Sequence, residues 1–131
     1  MHSRLRRASA IMAILYGVGL SGFETLINWG QWQWWPWWLV DYVAAAILIA
    51  GGIASLRNGA VGPALLFTGW GFALGMMWMS LAGNIAQGTA PDRAARVAGL
   101  YVALICASMA YCFAGLCLSL AAYRHQSQNQ P

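Results

Sequence analysis

Lysine is absent from this chain, and acids nearly so: Glu24, Asp41 and Asp92 are the whole complement. Charged residues make up 8% of the sequence, against about 25% in an ordinary soluble protein, so a water-facing surface cannot be assembled from them. The basic residues are all arginine (4, 6, 7, 57, 93, 96 and 124), and they sit at the edges of apolar segments. Insertion rules and anionic lipid account for them there, so the net charge of +4 does not point to a nucleic-acid partner. Cys106, Cys112 and Cys117 lack C-x-x-C or other metal spacing and read as small apolar residues of a helix. His2 and His125 lie at opposite ends of the chain. Neither a Ser-His-Asp arrangement, a phosphate-binding glycine loop nor H-E-x-x-H occurs, which disfavours hydrolase and nucleotide chemistry. Neither a cofactor nor a metal site is predicted.

What is present is apolar. Of 131 residues, 60% are hydrophobic, and the length suits one domain. Four segments of roughly membrane-crossing length are predicted, over about 8–28, 37–56, 61–83 and 97–122, with a disordered Gln/Asn-rich tail over 123–131. Arg4, Arg6 and Arg7 before an apolar run also fit a signal peptide, with Leu20-Ser21-Gly22 as a weak cleavage site. The apolar run continues to Trp29, however, and carries an acid, which favours a first membrane span. The expected fold is all-α: an integral membrane four-helix bundle, antiparallel, up-down-up-down. Arg57-Asn58-Gly59 is the tight turn that folds the second segment back on the third. Five arginines on the side of the termini against two on the other place both termini in the cytoplasm, by the positive-inside rule, in a bacterial inner membrane.

The chain is organised around residues 24–41. Six of its eight tryptophans (29, 32, 34, 35, 37 and 38) fall within ten residues, flanked by Glu24 and Asp41. Trp favours the membrane interface because its ring is apolar and its N–H needs a polar partner. Each acid lies on a flanking helix about five residues in from the loop's edge, or about 7–8 Å deep at about 1.5 Å per residue. An ionised acid deep in a bilayer costs roughly 2.5–3.5 kcal/mol, so a partner or a purpose is expected. Gly17, Ser21, Glu24, Thr25 and Asn28 recur at helical spacing along one close-packing face. The functional reading is a proton- or cation-binding site just below the outer surface. The plainer one has Glu24 bonding an indole or Asn28, and Asp41 complementing a helix dipole.

Other groups carry weaker signals. Indole faces attract ammonium groups, so the Trp cluster suits a cationic cage as well as simple anchoring. Met76, Met77 and Met79 around Trp78 suggest soft-metal binding, but helical geometry turns Met77 away from the other two. Gly71 and Gly75 form a G-x-x-x-G step suited to helix association. Asp92 and Arg96 are spaced as a helical ion pair. Tyr101, Ser108 and Tyr111 lie near one face of the last segment, placed to hydrogen-bond the first or to line a polar path, with plain packing the simpler role.

Together these predict a small transporter or channel with a pocket for a small cationic or amphipathic ligand, or a proton. Glu24 is its principal acid, helped by Asp41, Asn28, Trp29, Trp32, Trp35, Trp78 and Tyr101. The expected partners are the lipid bilayer and a homo-oligomer or larger membrane complex. The alternative is a non-catalytic accessory or assembly subunit of such a complex, its small-residue faces docking a larger partner.

Overall fold

The computed structural model describes residues 2–27, 29–30, 35–86 and 95–127, with side chains described for 4–26, 29–30, 38–86 and 99–124. The chain forms four helices: α1 (His2–Ile27), α2 (Trp35–Leu56), α3 (Gly62–Ala86) and α4 (Ala95–Ser127). Each contains a stretch long and apolar enough to cross a membrane: Arg4–Leu26, Trp38–Leu56, Gly62–Ala86 and Gly99–Arg124. The four helices match the four expected segments, with longer bounds. Helix α1 starts at His2 rather than near residue 8, and α3 runs on to Ala86. Helix α4 continues to Ser127, so residues 123–127 are helical where the sequence suggested a disordered tail. Good helix formers (Ala121, Ala122, Gln126) carry it on, with Arg124 placed to complement the C-terminal dipole. Residues 128–131, and Asp92 of the expected Asp92–Arg96 pair, lie outside the described residues.

Each helix packs on its neighbours in the chain and α4 closes against α1; of the two diagonals, α1 and α3 touch slightly and α2 and α4 do not. The α1–α2 seam is tight because it is lined by small residues. A Cβ built on Gly52 would stand 2.7 Å from the carbonyl oxygen of Ala10, and one on Gly17 would stand 2.9 Å from that of Ala45. At the far end of the same seam Thr25 meets Tyr42.

The turn after α2 is a helix cap as well as a connection. Asn58 takes the left-handed conformation (φ 56°). The Gly59 amide donates to the Ala54 carbonyl at 2.8 Å, and the Asn58 amide to that of Ser55 at 3.2 Å. This double bond pattern satisfies carbonyls a helix end leaves open. Asn serves because its short side chain tolerates positive φ, and Arg6 of α1 donates to its Oδ1.

The tightly packed core occupies only one half of the bundle: Ala10, Ala13, Leu48, Leu66, Trp70, Ala73 and Cys112. Trp70 is fully buried there and fills the place of an absent side chain, since a Cβ on Gly115 would collide with its ring. Its Nε1 donates to Ser9 Oγ at 3.0 Å. Ser9 donates to the Gly115 carbonyl at 3.1 Å and lies 2.8 Å from Ser119 Oγ. A hydroxyl has one proton and two lone pairs, so Ser119 must donate to Ser9, whose bonding capacity is then complete. A buried polar group with its bonds made rigidifies rather than weakens a core.

Candidate functional site

The other half of the bundle is hollow. A cavity of about 1240 Å³ is walled by all four helices, and Glu24 and Asp41 are both on its wall. Both acids are half-buried. The carboxyl of Asp41 lies within electrostatic range of that of Glu24.

The residues that follow the acids in sequence hold them there. Thr25 follows Glu24 and donates back to the Ser21 carbonyl at 2.7 Å. Its single proton is then spent, so in the 2.6 Å contact with Tyr42, which follows Asp41, the phenol donates. Trp38 sets its ring edge-on to Tyr42 at 5.6 Å and 71°. The latch ties α1 to α2 at the level of the acids, where a bond between hydroxyls substitutes for lost hydration.

Tyr16 borders the hollow and backs onto the packed half. Tyr16, Trp70 and Tyr111 contact one another pairwise, with ring centroids 5.7–6.0 Å apart. Tyr16 OH meets Ser108 Oγ at 2.5 Å, and Tyr111 OH donates to the Met12 carbonyl at 3.4 Å. These bonds join α4 to α1, one of the roles the sequence left open for Ser108 and Tyr111. The side walls add Phe23, Trp38, Phe72, Tyr101, Leu104, Ser80 and Asn84. Met76, Met77 and Met79 all border the hollow, because it is wide enough to take in the position expected to turn away. Among the described lining residues there is no Arg, Lys or His, and the two acids are the only charged side chains. Among the described residues no group of three or more His, Cys, Asp or Glu is placed to hold a metal ion.

Of the residues predicted for the site, the structure brings Glu24, Asp41 and Tyr101 to one cavity. Trp29 is 75% exposed and Trp78 58% exposed, and neither borders it. Asn28 and Trp32 lie outside the described residues, and Trp35 opens α2 with its side chain outside them. The residues predicted for the site did not include Tyr16, Trp38, Ser80, Asn84 or Ser108, although Trp38 belongs to the Trp cluster and Ser108 was among the residues placed to line a polar path. Tyr16 had a readable signal, since Tyr16, Leu20 and Glu24 repeat every four residues and share a helix face. Comparison with family models, with curated proteins and with solved structures finds no match.

Proposed function

We propose that this is a membrane protein that binds a small cation in the hollow between its four helices, as a small transporter or channel does, with Glu24 and Asp41 supplying the counter-charge. In this reading the helices run up-down-up-down, both termini face the cytoplasm of a bacterial inner membrane, and the hollow opens towards the opposite side. The observation that carries it is the pair of acids, from consecutive helices, in one largely apolar cavity with no basic residue among its described walls. Two carboxyl groups in a low-dielectric space are costly unless neutralised. A cation neutralises them, and a proton does so when the ligand is absent. Aromatic walls add attraction for an ammonium group, worth ~2 kcal/mol where the charge is desolvated.

The test is a titration of the protein in lipid nanodiscs with tetraethylammonium, read by indole fluorescence, because Trp38 borders the hollow. A saturable change is expected, and a flat response at millimolar ligand would count against the proposal. The accessory-subunit reading draws support from Gly71 and Gly75, both exposed and with open space where a side chain would be. It requires a partner that co-purifies with the wild type and is lost when these glycines are replaced by leucine.

A further inference from the structure

The hollow is only partly enclosed, and much of its wall falls within the stretches apolar enough to span a membrane. Several residues both border the cavity and are exposed: Phe23 at 48%, Phe72 at 39%, Met79 at 70% and Leu104 at 50%. Gly19, Gly71 and Gly75 also line it, with nothing within 4 Å of the position a Cβ would take. All seven lie inside the stretches long and apolar enough to span a membrane.

The polar groups are not spread evenly along this space. The acids stand at one end and the Tyr16–Ser108 hydroxyl pair at the other. Between them, eight residues of α1 span about 12 Å, walled by Leu20, Phe23, Phe72, Leu104 and Ile105.

Resting on the cation-binding reading above, we infer that the ligand is a cationic single-chain amphiphile taken from the membrane leaflet, its head at Glu24 and Asp41 and its chain along the apolar flank. Two features exclude the alternatives, and a third suits the chain. A bare inorganic ion would leave most of about 1240 Å³ as apolar space or as water against apolar walls, which is unfavourable. An anionic lipid head would meet two carboxyl groups and no basic residue among the described walls. A chain threaded past Met76, Met77 and Met79 finds thioethers that repack around varied shapes.

The experiment compares tetramethylammonium, hexyltrimethylammonium and decyltrimethylammonium with decyl sulfate. The protein is held in zwitterionic nanodiscs and binding is read by indole fluorescence, with partition into empty nanodiscs subtracted. Each added methylene should tighten binding, referred to the aqueous concentration, by about fourfold, and decyl sulfate should not compete. Decyltrimethylammonium binding no tighter than tetramethylammonium would overturn the amphiphile and leave the cation site standing. Equal binding of decyl sulfate would overturn it as well, since charge would then play no part. Saturable binding by none of the series, as when a second copy of the chain fills the hollow, would remove both readings.

Discussion

Replacing both acids together, Glu24→Gln with Asp41→Asn, should abolish tetraethylammonium binding while making the protein harder to unfold. The amides keep the shape of the wall and remove its charge. Truncating a desolvated charge partner costs a complex ~2–5 kcal/mol, roughly a thirtyfold to several-thousandfold loss of affinity. The same substitutions relieve the unliganded protein of the cost of holding two acids, charged or protonated, in a largely apolar space, each worth less than the roughly 2.5–3.5 kcal/mol of an ionised acid at the bilayer centre. Binding and stability therefore move in opposite directions. A structural role for the acids predicts that the two fall together, because the bonds they make would be lost. Fluorescence titration and unfolding in graded detergent, run on the same preparations, separate the cases. A double variant that binds as well as the wild type, or that unfolds more easily as it loses binding, would refute the assignment.

The second large effect belongs to the packed half. Trp70→Ala should destabilise the bundle by ~3–5 kcal/mol, since truncating a fully buried aromatic leaves a cavity its neighbours only partly close. Gly115→Leu should cost ~1–3 kcal/mol, because the new side chain must enter space the Trp70 ring holds. Combined, the two changes should cost clearly less than their sum, as the leucine fills part of what the indole vacated. Such non-additivity is expected of residues in direct contact. Detergent unfolding of the two single variants and the double gives the coupling, and strict additivity would mean that α3 and α4 do not meet at this point. Packing dominates here because lipid chains are as apolar as the core, so little hydrophobic drive separates the two.

Much of the fold was legible because membrane-length apolar runs leave few alternatives, and backbone groups in lipid must be satisfied within the segment. The Arg57-Asn58-Gly59 turn was legible from its residue types, although only the structure shows Asn58, rather than Gly59, taking the positive φ. The two acids were marked by their rarity. The polar contacts beneath the site and in the packed half were not legible. Tyr16 meets Ser108, and Ser9 meets Trp70 and Ser119, across more than sixty positions of sequence in every case. Which face of α4 turns towards α1 depends on helix rotation, and helical periodicity within one segment leaves that open. The roles of the indoles were not legible for a related reason. Trp clustering reports the level of the membrane interface, not which rings turn inward, and Trp29 and Trp78 stand outside the cavity while Trp38 borders it.

The account rests on the two acids being neighbours on the wall of one cavity. Cysteines at both positions, Glu24→Cys with Asp41→Cys, in a chain whose Cys106, Cys112 and Cys117 are replaced by alanine, test this in intact membranes. A short bifunctional thiol reagent should join the pair within a single chain, and tetraethylammonium added beforehand to a chain that keeps one acid should slow reaction of the remaining cysteine. Cross-links absent at every reagent length, or formed only between chains, would contradict it.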